Sequence, residues 1–289
     1  MTKNNFQKQW DNDLVLHYKT HRLILGIMGV FLPLALIIGS FIWNKGQIEN
    51  SISDYFYTCL RDLFVVTLSA VSIFLLTYKG YGGRDFWASN IAGFFGMITA
   101  FVSTNFSPHT QVSCHQLVEK APYDQTDTMI VLKSDCVCRA YEITPVPHAE
   151  WLGSLHLGCA SIFLLALAYM AIREFTLTNG GVRLKTRKKQ LDVQEQQLLA
   201  KQKEPGADLN EIKNELWGIE VEREQMPKKV IENIFYRFCG WTIVVVLAIL
   251  APMVFSDAIG HFYDRYNIVF WGESICLVAF GTSWIIKGV

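Results

Sequence analysis

The chain has 289 residues, of which 51% are hydrophobic and 18% are charged, and its formal net charge is zero. Average soluble domains carry about 25% charged residues, so this composition argues against an ordinary soluble protein. The zero net charge gives no sign of nucleic-acid binding, and no GxSxG, Walker or HExxH motif points to a known enzyme class.

Apolar residues gather in six blocks that polar segments separate. A bilayer core of about 30 Å needs about 20 helical residues to cross it, and each block has that length or nearly so. None alternates in the manner of a barrel strand. The sequence therefore predicts an all-α, polytopic membrane helix bundle with six transmembrane helices, at Leu23–Trp43, about Cys59–Tyr78, Phe86–Asn105, Trp151–Ile172, about Phe238–Phe255 and Ile268–Ile286.

Lysine and arginine predict the orientation of the bundle, because cytoplasmic loops retain positive charge. Of the 26 basic residues, 20 fall in the N-terminal tail (1–22), after the second and fourth spans, and at the C-terminus. The opposite face holds the remaining six. We expect both termini of this multi-pass protein to be cytoplasmic.

The first four spans (23–172) include a long outer loop, 106–150. Cys114, Cys136 and Cys138 lie in this loop, and Cys59 is expected at the outer end of the second span, on the same face. An even number of cysteines in an oxidising compartment indicates two disulfides. Free thiols remain an alternative, and so does zinc bound with His115, although the CH…CxC spacing is unlike that of zinc fingers.

The inner segment 173–232 predicts a cytoplasmic helical hairpin, inserted before the last two spans (233–289). Leucines recur every seven residues from Leu184 to Leu198, Glu204-Pro205-Gly206 breaks the pattern, and a 3-4-3 spacing resumes at Leu209. One reading is a self-packed spacer. The other is a coiled coil that forms a homo-oligomer through 184–226. The basic run Arg183–Lys189 predicts contact with anionic lipid headgroups.

Most ionisable residues in or near the spans fall on the outer side. Glu273 is expected about 9 Å below the outer boundary of the last span, and His156 about 7 Å below it on the fourth. A charge within the membrane is costly and therefore faces protein or water, so we expect an outward-facing polar pocket. Its predicted ligand-binding residues are Arg61, Asp62, His156, Asp257, His261 and Glu273.

Several functions fit such a pocket. It binds a small molecule or lipid, or it is only an ion-pair network that fixes helix packing. A metal-dependent membrane lipid hydrolase is an alternative, because Asp257 and His261 lie one helical turn apart and either His156 or His148 supplies a third zinc ligand. A small-solute or proton-coupled transporter is another. No cofactor is predicted apart from that zinc, and whether the chain is an enzyme stays open.

The stretches SISDYFYTCLRDLFVVTLSAVSIFLLTYKGY, SNIAGFFGMITAFVSTN and GESICLVAFGTSWIIKG resemble uncharacterised bacterial six-helix multi-pass membrane proteins. The resemblance covers most of the bundle but not the 183–226 hairpin. It implies a fold and a location in the bacterial inner (cytoplasmic) membrane, without an activity. A fainter similarity links the chain to alkaline-ceramidase-like membrane hydrolases, which combine Ser, Asp and three His at a zinc site. The histidines other than His261 do not follow that pattern.

Overall fold

The computed structural model describes residues 3–43, 46–78, 83–102, 104, 151–178, 181–205 and 208–288. Helices make up nearly all of these residues, and no strand is found among them. The helices are α1 (Lys3–Trp43), α2 (Arg61–Thr77), α3 (Gly83–Phe101), α4 (Trp151–Tyr169), α5 (Leu184–Lys201), α6 (Leu209–Leu250), α7 (Asp257–Arg265) and α8 (Ile268–Gly288). The prediction of an all-α fold is confirmed.

Four segments of the described chain are long and apolar enough to cross a membrane: Lys19–Trp43, Trp151–Glu174, Leu209–Val254 and Ile268–Gly288. They correspond to the first, fourth, fifth and sixth predicted spans. The second and third predicted spans form α2, which has 17 residues, and α3, which has 19. The chain therefore has the character of a multi-pass membrane protein.

The long helices form a ring in chain order. α1 packs on α2, α2 on α3, α3 on α4, α4 on α6 and α6 on α8, and α8 closes the ring on α1. α2 and α3 thus take positions equivalent to those of the four longer, more apolar segments. The buried side chains of all six helices form one continuous core, with large apolar side chains left exposed around its outside.

The backbones of α1 and α8 approach each other closely. A Cβ atom on Gly26 would lie 2.5 Å from the carbonyl oxygen of Gly281, and a Cβ on Gly281 would lie 2.5 Å from that of Gly26. Real side chains do not approach so closely, so the crossing requires glycine on both helices. Small residues allow such backbone contact between membrane helices, where van der Waals packing drives association.

The polar segment between the fourth and fifth predicted spans contains two packed helices, as the sequence predicts. Leu191 and Leu198 of α5 pack on Ile212 and Ile219 of α6 in a core separate from that of the ring. The same α6 then continues through the expected boundary at 232/233 as one helix of 42 residues. The pair is a short antiparallel hairpin, and a longer coiled coil gains no support from it.

Salt bridges join the two hairpin helices along one edge. The Arg187 guanidinium holds the Glu222 carboxylate through two hydrogen bonds of 2.9 Å. Arg223 donates from Nη2 to both Asp192 and Glu195 at 2.6 Å. These side chains are partly exposed, so each pair adds at most about 1 kcal/mol. The hairpin therefore depends mainly on its leucine and isoleucine core.

Candidate functional site

The chain between α1 and α2 folds into the end of the ring instead of passing over it. We call residues 46–57 the inserted segment; it ends in a short 3-10 helix, Ser53–Tyr57. Its most deeply buried side chain, Tyr55, is fully inaccessible and shares a 2.5 Å hydrogen bond with Ser40 of α1. The Asn50 carbonyl accepts from the Phe270 N–H of α8 at 2.8 Å. The segment is thus a fixed part of the bundle interior.

Glu273 holds the centre of the inserted segment. Its Oε2 accepts a 2.7 Å hydrogen bond from the backbone N–H of Ile52. The other oxygen, Oε1, accepts no hydrogen bond from any residue that the structure describes. A buried backbone N–H without a partner is costly, and here a carboxylate brought in by α8 supplies the acceptor. This contact explains why an acidic residue stands in an otherwise apolar helix.

His156 holds the next residue of the same segment. Its Nε2 lies 2.8 Å from Ser53 Oγ, and its Nδ1 lies 2.5 Å from the carbonyl oxygen of Val102 at the end of α3. A carbonyl oxygen can only accept, so Nδ1 carries the proton in the neutral ring and Nε2 is the acceptor. The Ser53 hydroxyl then donates to Nε2. Both residues are buried, with exposed fractions of 6% for Ser53 and 4% for His156.

A small cavity lies beside these contacts. Its volume is about 40 Å³, and its polar side chains are those of Ser53, Thr99 and Glu273. Apolar residues from α1, α2, α4 and α8, with Ile52 of the inserted segment, form the rest of the wall: Leu32, Ile52, Phe64, Leu68, Ala160, Phe163, Leu164 and Leu277. The cavity therefore combines three polar side chains with an otherwise apolar wall.

Asp54 is a second acid in the inserted segment. Its carboxylate accepts from the Ser51 N–H at 3.0 Å, and its own N–H donates to Ser51 Oγ at 3.0 Å. Burial raises the pKa of Asp54 from 3.8 to about 7; the Ser51 hydrogen bonds oppose this shift, and the nearby Glu49 carboxylate adds to it. Asp54 consequently titrates close to neutral pH while it remains inside the fold.

Arg61, Asp62 and His261 take no part in the hydrogen bond between Glu273 and Ile52. The Arg61 guanidinium lies 4.2 Å above the Phe56 ring, and the Arg61 side chain is partly exposed. Asp62 and His261 are exposed. The side chain of Asp257 is outside the described residues. Of the six predicted residues, the structure brings His156 and Glu273 to the inserted segment, where they bind adjacent positions.

Metal ligation receives no support from the described residues. Within them, no group of three or more His, Cys, Asp or Glu side chains is placed to hold a metal ion. Both ring nitrogens of His156 are also engaged in hydrogen bonds. The predicted disulfides involve Cys59 with Cys114, Cys136 and Cys138, and the last three lie outside the described residues, so that pairing stays a prediction.

The inserted segment is the part of the site that the sequence analysis did not identify. In the sequence, SISDYFY stands directly before the second predicted span. Its signal was available, since serines, an aspartate and two tyrosines stand directly before an apolar block. The pattern does not show that the backbone folds inward. That course depends on two hydrogen-bond acceptors from distant helices, His156 of α4 and Glu273 of α8.

A second buried polar cluster lies at the opposite end of the ring, and the sequence analysis also missed it. Arg22 donates to the Tyr78 hydroxyl at 3.0 Å, and Lys287 Nζ donates to the carbonyl oxygen of Phe175 at 2.8 Å. Asp85 and Glu174 are buried at the same end, with exposed fractions of 2% and 5%. Charged side chains therefore lie at both ends of the bundle, with the apolar core between them.

Searches of protein-family models, of curated proteins and of solved structures give no match to this chain.

Proposed function

We propose that this protein is a six-span membrane protein that binds a small polar molecule in the cavity beside Glu273, reached from the outer face. Both termini and the α5–α6 hairpin lie on the cytoplasmic side, in the inner membrane of a bacterium. The binding proposal rests on the Glu273 carboxylate, which lines the cavity. Its Oε2 accepts a hydrogen bond from the Ile52 N–H, and its Oε1 accepts none from any described residue, so Oε1 can bind a ligand.

The ring supports six spans. α2 and α3 occupy the same ring as the four longer apolar segments, each beside its neighbours in sequence. Alternate crossing of the membrane by successive helices then returns both termini to one side. Green fluorescent protein fused to the C-terminus should fluoresce, and alkaline phosphatase fused after Phe255 should be active. The reverse pattern would contradict the proposed orientation.

The dimensions of the cavity favour a small ligand over a lipid. A water molecule needs about 10–15 Å³ of such volume, so about 40 Å³ holds a few waters or a solute of a few heavy atoms. A membrane lipid chain is far larger. The polar groups at one end of the chamber would orient the ligand, and the apolar wall would limit its size, as in most small-molecule sites.

Native mass spectrometry of the detergent-purified protein tests this proposal. We expect a small adduct on the wild type that is lost in Glu273→Leu and kept in Glu224→Leu, an exposed control on the hairpin. Thermal melting of the same samples should show stabilisation by one class among small alcohols, amines and carboxylic acids. An adduct that survives in Glu273→Leu would place the binding site elsewhere.

A proton-coupled transporter is the second candidate function. Glu273 and His156 bind adjacent residues of one segment, and further charged residues lie at the other end of the ring. Ionisable groups inside a membrane bundle are typical of proton pathways. Proteoliposomes containing a pH-sensitive dye should then acidify under an imposed pH gradient, and Glu273→Gln should abolish the flux. Equal flux in the variant would reject this function.

The hairpin supports two further proposals. Arg183 pairs with Leu177, two residues after Phe175, whose carbonyl oxygen accepts from Lys287. The basic run Arg183–Lys189 would therefore meet anionic headgroups of the cytoplasmic leaflet. Val193, Leu199 and Trp217 are exposed on the hairpin and would form the contact with a second copy through 184–226. Light scattering of the purified protein should give a dimer that becomes a monomer in Trp217→Lys.

A further inference from the structure

Ser53 and His156 have the geometry of a nucleophile and its general base. The 2.8 Å separation of Ser53 Oγ and His156 Nε2 is within the range of about 2.6–3.2 Å that such pairs show. In serine hydrolases a third group holds the histidine in the tautomer that accepts the serine proton. The Val102 carbonyl does this here, because it accepts from Nδ1 at 2.5 Å.

The surroundings place this pair where a reaction could occur. Ser53 lines the cavity, and so does Glu273, the α8 residue that accepts from the Ile52 N–H. Three helix-bound supports fix the pair: α4 carries His156, the end of α3 carries Val102, and α8 holds Ile52 through Glu273. A nucleophile held by rigid elements is more precisely positioned than one on a free loop.

We propose that Ser53 and His156 form a catalytic pair that hydrolyses a carboxylic ester with a short acyl chain, bound in the Glu273 cavity. The apolar wall formed by Leu68, Phe163 and Leu277 would receive the acyl chain. The small volume restricts that chain to a few carbon atoms. This inference rests on the proposed ligand site and identifies the class of molecule that occupies it.

The reaction balances with water as the second reactant. Ser53 Oγ bonds to the ester carbonyl carbon while its proton passes to His156 Nε2. The tetrahedral species then expels the alcohol, which takes the proton from His156, and an acyl group stays on Ser53. Water attacks the acyl carbon, His156 accepts one of its protons and returns it to Ser53 Oγ, and the carboxylic acid leaves.

A fluorophosphonate probe tests the nucleophile directly. It phosphonylates a serine only where the hydroxyl is activated, and peptide mass spectrometry identifies the modified residue. We expect modification of Ser53 in the detergent-purified protein, no modification in Ser53→Ala, and unchanged modification in Ser256→Ala, whose side chain makes no capping hydrogen bond and does not line the cavity. His156→Gln should slow the modification by about 100-fold or more, since a general base contributes factors of this size.

Turnover and folding readouts distinguish the outcomes. Wild type should hydrolyse p-nitrophenyl acetate and butyrate in preference to the laurate, and thermal melting should show that His156→Gln remains folded. No probe modification in the wild type would overturn the catalytic proposal whatever the variants do. A small-molecule adduct lost in Glu273→Leu would then still support the binding site. Modification that persists in Ser53→Ala would also overturn it.

Discussion

Glu273 and Ile52 lie 221 positions apart in the chain and meet through a single hydrogen bond of 2.7 Å, from the Ile52 N–H to Glu273 Oε2. The contact ties the last helix to the segment between the first two helices. Ser53, the next residue, is tied to α4 by His156 at 2.8 Å. Two ionisable side chains thus hold consecutive residues inside the ring, and a cavity lined by Ser53 and Glu273 lies beside them.

Replacement of Glu273 should separate a hydrogen-bonding role from a packing role. Glu273→Leu leaves the buried Ile52 N–H without an acceptor, which costs about 1–3 kcal/mol of unfolding free energy. Glu273→Gln keeps an acceptor oxygen and should cost less than half of that. Thermal unfolding in detergent measures both, with Glu224→Leu as the exposed control. Equal losses in the Leu and Gln variants would contradict the hydrogen-bonding role.

Substitution at the α1–α8 crossing should be strongly destabilising. Gly281→Ala places a Cβ 2.5 Å from the Gly26 carbonyl oxygen, so the two helices must move apart. Overpacking of this kind costs about 1–3 kcal/mol. Gly158→Ala on α4 is the matched control, because no atom lies within 4 Å of the added Cβ. We expect a lowered melting temperature for Gly281→Ala and an unchanged one for Gly158→Ala. An equal decrease in both variants would contradict the close approach of the α1 and α8 backbones.

The stability of the protein should fall as the pH rises towards neutrality because of Asp54. Its pKa is about 7 in the fold against 3.8 in the unfolded chain, so between these values only the folded state keeps the proton. Between these two pKa values the free energy of unfolding decreases by about 1.4 kcal/mol for each pH unit. It stops decreasing above the pKa of the folded state. Melting temperatures measured across this pH window check the slope.

Asp54→Asn removes this titration while preserving the shape of the side chain. The difference in melting temperature between wild type and variant should therefore change with pH below neutrality and become constant above it. Asp62→Asn, at an exposed position on α2, should leave the profile of the wild type unchanged. A difference between wild type and Asp54→Asn that does not vary with pH would contradict the raised pKa of Asp54.

The hairpin should depend on its apolar core more than on its salt bridges. Leu191 is 1% exposed, and Leu191→Ala should cost about 2–5 kcal/mol locally. Arg223→Gln removes two partly exposed ion pairs and should cost about 1 kcal/mol or less, with a smaller effect at high salt. Hydrogen exchange of α5 amides reports both. Faster exchange in Arg223→Gln than in Leu191→Ala would show that the salt bridges stabilise the hairpin more than its apolar core does.

The sequence pattern predicted the helices of the ring and of the hairpin, but it did not predict α7 or the start of α1 at Lys3. Long apolar blocks specify membrane helices, and the leucine spacing together with Glu204-Pro205-Gly206 specified two packed helices and their turn. It did not show that α6 runs unbroken from the hairpin into the membrane, because the change from polar to apolar residues alters the surroundings of a helix and not its backbone.

The sequence by itself also determined that Glu273 and His156 would face the interior, since charge and hydrogen-bonding groups are costly in lipid. Only the tertiary structure decided what they bind. The polar stretch that contains Ile52 and Ser53 gives no periodic signal, and its inward course depends on acceptors that helices distant in sequence supply. A side-chain contact across 221 positions follows from how the ring closes, and local residue patterns do not encode that closure.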